Sequence, residues 1–289
     1  FVDSSTDRSP EIIKEWMNKY PNIVLIKEPY RRGLAAALNT GYSKAKGEII
    51  IKTDADQLLD REAIHIVVSH FRDPRIGAVS GKQILRGEIS QEAGYRFLVD
   101  LKRTVENCLD SIYLMEPFSA YRKSLIEPID EKSVADDAEL GIKIRRKGYR
   151  VVFEPKAYFH EELPIELRKR LKIKQRRAQG HIKLLLENTD LLFNPRYGKY
   201  GLIIFPLNFL MIVINPWLFI ALIITFPILT YNMLGILGLL TSLALYAVAM
   251  ILHLLGKPRI LTGFIEAHLA LVIGFIYLLF KGPQYIWQK

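Results

Sequence analysis

Two carboxylates one residue apart, Asp54 and Asp56, follow the β-branched run Ile49-Ile50-Ile51 after Lys52-Thr53. An apolar run with no polar break reads as a short strand buried on both faces. Alternate strand side chains point to one side, so the two aspartates converge just past the strand end. Two hard oxygen ligands there suit Mg²⁺ or Mn²⁺, and open α/β sheets bind ligands at that edge. A polar exit from a strand into a loop gives the same pattern without chemistry. A second acidic pair, Asp136-Asp137, opens a helix that closes on Arg145-Arg146-Lys147. Charges so placed also complement the helix macrodipole, which is a purely structural use of them.

The elements that position these residues alternate. Val2-Asp3 reads as a strand end, and Ser9 as the N-cap of a helix with Pro10 at its first position. A strand over 22–26 and a helix over 34–45, opened by Arg31-Arg32-Gly33, lead to the strand before Asp54. A helix over 61–71, a strand over 76–80, a long helix over 91–111 and the helix from 135 to 147 follow. A last strand, 151–153, ends at Glu154-Pro155. This order implies an α/β fold with a mostly parallel sheet flanked by helices. Phe1 sits so close to a strand end that a further strand and helix are expected upstream. Cys108 is the single cysteine, so no intrachain disulfide forms, and a small buried apolar role is expected for it.

Charge and hydropathy are uneven. From Gly201 onward the charged residues are Lys257, Arg259, Glu266, Lys281 and Lys289, a net +3 that leaves +7 for the first 200 residues. The basic excess suits a phosphate-bearing ligand or an anionic membrane surface. No nucleic-acid recognition motif accompanies it. The stretch 165–183 is strongly basic with interleaved Ile165, Leu171 and Ile173, as in an amphipathic helix on a membrane surface or simply a solvated face. Three apolar segments, 202–230, 233–255 and 261–280, are long enough to span a bilayer. The first carries Pro206, Pro216 and Pro227, so it is a kinked span or an interfacial helix followed by one. The basic loop 256–259 is expected on the cytoplasmic side, although Lys281 and Lys289 conflict with that for three crossings. The expected organisation is a globular part over 1–164, a basic interface segment over 165–200 and three or four transmembrane helices over 201–289. Glu266 and His268 stand inside an apolar segment, within the bilayer or at its interface.

Taken in order, these pieces resemble the membrane-anchored family 2 glycosyltransferases of the GT-A fold. Val2-Asp3-Ser4-Ser5-Thr6-Asp7 resembles their Val-Asp-Asp-Gly-Ser-x-Asp turn. The segment from Arg32-Gly33 through Asn39-Thr40-Gly41 resembles Gly-x-Ala-x-Ala-x-Asn-x-Gly, and Asp54-Ala55-Asp56 the Asp-x-Asp motif. Asp136-Asp137-Ala138-Glu139-Leu140 resembles Glu-Asp-x-x-Leu, and Arg176-Arg177-Ala178-Gln179-Gly180 the Arg-Trp-x-x-Gly tail. The resemblance implies an inverting transfer from a UDP- or GDP-sugar to a lipid or lipid-linked acceptor at the cell membrane, with the catalytic part cytoplasmic. It implies Asp3, Arg32, Gly33 and Asp54 at the donor, and Asp54 and Asp56 on a Mg²⁺ or Mn²⁺ ion. His160 is an additional metal or phosphate ligand, or structural. Asp137 would be the general base, with Asp136, Ser119, Arg176 and Arg177 around the acceptor and diphosphate.

Departures from the family pattern shape the reading. Leu34 replaces a lysine found in some members, and Asp136 the usual glutamate. Arg177 replaces the tryptophan of polymerising synthases, which would stack an acceptor sugar. That favours transfer of a single sugar, with a processive polysaccharide synthase as the alternative. A channel or transporter with a regulatory nucleotide-binding domain, which predicts more spans and more polar residues in them, and an inactive scaffold are the readings from other classes.

Overall fold

A computed structural model describes residues 1–86, 90–162, 164, 166–255 and 259–284. Its first layer is a short parallel pair, β1 (Val2–Asp3) and β2 (Ile26–Lys27), joined by helix α1 (Ser9–Lys19). Helix α2 (Leu34–Lys44) then leads into β3 (Ile49–Lys52), the edge of a five-stranded sheet. The other strands are β4 (Leu58–Leu59), β5 (Ile76–Arg86), β6 (Ser119–Arg122) and β7 (Arg150–Glu162), in the order β3-β6-β5-β7-β4. Strands β3, β5 and β7 run one way, and β6 and β4 run against them. Helices α3 (Ala63–Ser69), α4 (Ser90–Leu109), α5 (Asp136–Arg146) and α6 (Leu167–Glu187) complete this part.

Neighbouring strand residues divide between two cores. Ala78, Tyr121 and Val151 enter one cluster with Leu140 and Ile144 of α5. Val79, Ala120 and Val152 enter the other with Ala63 and Val67 of α3. The period of two along each strand therefore buries both faces, which is why these strands read as apolar runs and not as alternations. Burial on both faces fixes the register, since a one-residue slip would exchange the two cores.

A mixed sheet flanked by helices is found, but it is not mostly parallel. Within the five-stranded sheet, β5–β7 is the one parallel pairing among the four described, and several local readings differ too. The last strand does not stop at Pro155: β7 continues to Glu162. Ser80 pairs with Phe153 and Lys82 with Tyr158, so Gly81 alone faces residues 154–157. Pro155 lies in that bulge, where its missing N–H removes no ladder bond. The expected strand over 22–26 is reduced to Ile26–Lys27. Arg8, not Ser9, is the N-cap of α1, and Ser9 sits inside the helix with its hydroxyl and amide on Asp7 Oδ1 at 2.6 and 3.0 Å. Cys108 is exposed on α4, not buried.

The apolar part comprises α7 (Phe205–Phe209), α8 (Asn215–Leu254) and α9 (Arg259–Lys281), with single π-turns on either side of α7. Tyr200–Leu254 and Thr262–Lys281 are long and apolar enough to cross a membrane. The first of these is not straight. The Tyr246 hydroxyl donates to Ile223 O at 2.8 Å, whereas 23 residues of straight helix would part them by about 35 Å. The reversal falls at Gly235 (φ 61°, ψ −144°), a conformation that side chains resist. Two antiparallel limbs result, with the reversal inside the apolar segment expected over 233–255. The beginning of the first apolar segment packs on the globular part, with Tyr200, Ile204 and Phe205 buried beside Leu185 and Leu191. The residues of the basic loop at 256–258, Ile165 and Lys289 lie outside the described residues.

Candidate active site

Lys52 ends β3 and stands opposite Ser119 of β6. Tyr121, two residues further along β6, shares that face. The buried Lys52 ammonium donates to Asp137 Oδ1 and Oδ2 at 2.7 and 2.9 Å and to Asp136 Oδ2 at 3.2 Å. Tyr121 donates its hydroxyl to Asp137 Oδ1 at 3.3 Å. Both aspartates lie in the first turn of α5, whose unsatisfied N–H groups favour negative charge.

The electrostatics are crowded. Burial pushes the Asp137 carboxyl up to about 7, and neighbouring Asp136 and Asp54 add to the rise against the opposing pull of Lys52. Asp54 is likewise raised by burial, with Asp136 and Asp56 adding to it. The same carboxylates outweigh burial at Lys52 and hold its ammonium well above the usual lysine range. Three carboxylates around one buried ammonium leave an excess of negative charge, which a cation or a proton relieves.

Asp54 is half-buried and Asp56 exposed just beyond β3. Among the described residues neither carboxylate makes an ion pair, because Lys52 turns to Asp136 and Asp137. Two hard oxygen donors with no ion-pair partner among the described residues suit a Mg²⁺ or Mn²⁺ ion. His160 lies in β7 opposite Leu58 of β4 and Ile84 of β5. No group of three His, Cys, Asp or Glu side chains able to hold a metal occurs among the described residues.

The residues expected at the donor lie along β1 and the loop before α2. Asp3 Oδ1 accepts from Ser5 N at 3.2 Å, while Asp3 Oδ2 and Ser5 Oγ are buried without a partner. Buried polar atoms of this kind are costly unless a ligand satisfies them. Gly33, at φ 110°, turns the chain into α2 in a conformation favouring glycine. Arg32 beside it donates to Glu28 at 2.5 Å, Thr40 at 3.1 Å and Glu131 at 3.2 Å. In this conformation it is held by protein carboxylates.

Helix α6 forms the opposite wall. A Cβ on Gly180 would lie 2.8 Å from Val134 C and 2.9 Å from Ala135 N, so the glycine lets α6 touch the loop that delivers Asp136. One turn earlier stand Arg176 and Arg177. The Arg176 guanidinium is held below its usual range by burial, against the pull of Asp136. Arg177 lies 3.9 Å from Glu161. His181, one turn beyond Arg177, is held neutral: burial first, then Lys102 and Arg177, bring it down to about 4. Ser119 donates its hydroxyl to Glu116 O on the floor. Glu116 binds Arg96 at 2.9 Å and Arg103 at 2.6 Å, and these arginines outweigh burial to hold it down to about 2.

The structure therefore brings Asp54, Asp136, Asp137 and Ser119 together, with Arg176 and Arg177 across from them. Sequence reasoning missed Lys52, Tyr121 and His181 as parts of this site. A lysine closing an otherwise apolar strand was a usable signal for the first, since a buried lysine needs a partner. The other two offered none.

The profile described as "Glycosyl transferase family 2" matches residues 2–129. The chain is 26% identical over 230 residues to poly-β-1,6-N-acetyl-D-glucosamine synthase of Staphylococcus aureus, covering 76% of this chain and 55% of that protein. The synthase of the same name from Staphylococcus epidermidis is 26% identical over 243 residues, covering 80% of this chain and 58% of that protein. The chain thus spans about half the length of the curated relatives it matches. Among solved structures, the mannosyltransferase PcManGT from Pyrobaculum calidifontis, in complex with GDP-Man and Mn²⁺, superposes with a TM-score of 0.77. It is 26% identical, with 96% of this chain and 76% of that chain covered. Fold, motif order and family match converge: residues 2–129 are a glycosyl transferase family 2 domain, set in a chain with the GT-A fold.

Proposed function

We propose that this chain carries the catalytic centre of an inverting, metal-dependent glycosyltransferase. It takes one sugar from a nucleoside-diphosphate donor and passes it to a lipid-linked acceptor at the membrane. The observation that carries this reading is the Lys52–Asp136–Asp137 cluster beside Asp54 and Asp56. It sets a buried carboxylate with near-neutral proton affinity next to two carboxylates suited to a cation. GDP-mannose is the first donor to test, because PcManGT was solved with GDP-Man.

Asp137 accepts the proton of the acceptor hydroxyl. The acceptor oxygen then bonds to the anomeric carbon from the face opposite the diphosphate. The bond from that carbon to the diphosphate oxygen breaks, and configuration inverts through an oxocarbenium-like state. Lys52 and Tyr121 orient Asp137, and the buried Lys52 charge keeps part of it ionised. Asp54 and Asp56 would hold the cation, which supplies neutralisation of the charge that develops on the departing diphosphate. Arg176 and Arg177 add positive charge on the α6 side of the cleft. Asp3 and Ser5, with unsatisfied buried oxygens, receive the nucleoside.

A second reading has its own support. The curated relatives are named as polysaccharide synthases, and a processive enzyme of that kind is the alternative. Arg177, in place of a stacking tryptophan, favours single transfer. Purified chain incubated with membrane lipid extract and a panel of nucleotide sugars separates the two by product mass. One added sugar with inverted configuration supports the proposal. A ladder of oligomers supports the synthase, and retained configuration overturns the mechanism. In the same assay Asp54→Ala and Asp56→Ala should abolish the Mn²⁺-dependent gain in donor affinity. Donor binding that is indifferent to Mn²⁺ in the unsubstituted chain would sink the metal assignment.

A further inference from the structure

Helix α4 is inside out. Its charged side chains point inward: Glu92, Arg96, Arg103 and Glu106 are 3%, 12%, 3% and 7% exposed. They are tied to Glu116, Lys174 and Asn208. Its outward stripe is apolar, with Phe97 61%, Leu101 51% and Val105 51% exposed, and Cys108 continues it. Both stripes recur at helical spacing, and at 100° per residue they fall on opposite faces of one helix. A helix bathed in water carries the opposite arrangement.

Phe97, Leu101 and Val105 therefore form one contiguous apolar ridge rather than scattered surface residues. Its surroundings are those of the apolar helices. Helix α4 packs against α9, and Lys102, adjoining the ridge, donates to Asn208 inside the Tyr200–Leu254 segment. Helix α6, tied to α4 through Lys174 and Glu92 and packed on the same α9, carries exposed Arg168 and Lys172 along an open cleft of about 550 Å³. An apolar ridge packed with the apolar helices, on a body that also exposes cations, suits the boundary between acyl chains and anionic headgroups.

We infer that the outer ridge of α4, formed by Phe97, Leu101, Val105 and Cys108, lies in the lipid bilayer at the headgroup–acyl boundary. This rests on the reading of the apolar helices as membrane segments. It gives the globular part its own lipid contact, one helix away from the Glu116–Ser119 floor of the cleft, and so sets the height of the cleft over the membrane.

The test uses the full chain in phosphatidylcholine–phosphatidylglycerol vesicles, with one fluorescent label per variant. Labels go on Cys108 itself or, in a Cys108→Ser background, on Phe97→Cys, Leu101→Cys and Val105→Cys. Lys132→Cys, exposed beside α5, reports water, and Leu243→Cys on α8 reports the bilayer. Quenching by spin-labelled lipid several-fold above the Lys132 label at all four ridge positions is the expected result. Quenching at Leu243 with none on the ridge overturns the inference while leaving the membrane helices standing. No quenching at Leu243 removes the membrane reading, and this inference with it. Ridge labels shielded from lipid but transferring energy between copies would assign the ridge to self-association instead.

Discussion

The Asp137 carboxylate is pulled in opposite directions. Lys52 stabilises its charge, while burial and the carboxylates of Asp136 and Asp54 oppose it, and the second group wins. Replacing Asp137 with Asn keeps the shape and removes the base. Turnover should fall by about 10²–10⁴-fold with donor affinity little changed, measured by single-turnover kinetics and nucleotide titration. The sign of the pH dependence follows from the raised carboxyl. Below about 7 the carboxyl is protonated and cannot take a proton. Log kcat should therefore climb with pH to about 7 and level off above it. An unshifted aspartate would hold the plateau down to about pH 4, and a profile flat between pH 5 and 8 would remove Asp137 from the role.

At the scale of elements, the cleft depends on how closely α6 approaches the start of α5. Gly180 permits that approach, because a Cβ there meets backbone atoms of Val134 and Ala135, which have no rotamer to yield. Gly180→Ala should cost about 1–3 kcal/mol in thermal unfolding, the usual range for overpacking. It should also lower kcat by displacing Arg176 and Arg177 from Asp136. Stability lost with kcat intact would mean that α6 contributes packing and no geometry to the cleft. The α4 ridge is a further property of an element, since neither Phe97 nor Leu101 is unusual alone.

For the whole molecule, the C-terminal helix and the globular part form one connected body. Glu266 of α9, 2% exposed, accepts from Lys174 at 2.9 Å and pairs with Arg170 at 3.6 Å. Lys174 also reaches Glu92 of α4 at 2.7 Å. An ionisable residue in an apolar segment thus serves as a tie between helices, with polar partners that offset its burial. Helix α6, which reads from sequence as a membrane-surface helix or a solvated face, packs against α9 and is tied to α4 of the globular part. Glu266→Gln removes the carboxylate that Arg170 and Lys174 share and should cost about 1–3 kcal/mol, read as a lower unfolding temperature in detergent. An unchanged unfolding temperature would make the tie energetically idle.

Much of this protein was legible in its residues. The apolar run before Asp54, the acidic opening of α5 and the order of the motifs all rest on local periodicity and chain order, which a sequence carries directly. The apolar character of the residues after 200 was legible for the same reason, because composition carries it directly. What only the tertiary structure decided involves distance along the chain. Lys52 meets Asp137 across 85 residues, and β7 runs through Pro155 because the bulge opposite Gly81 spares its missing N–H. The outward apolar face of α4, and with it the exposure of Cys108, depends on which stripe of a two-faced helix meets buried arginines and glutamates. Periodicity reveals two faces of a helix; the partners brought by the fold choose which one turns inward.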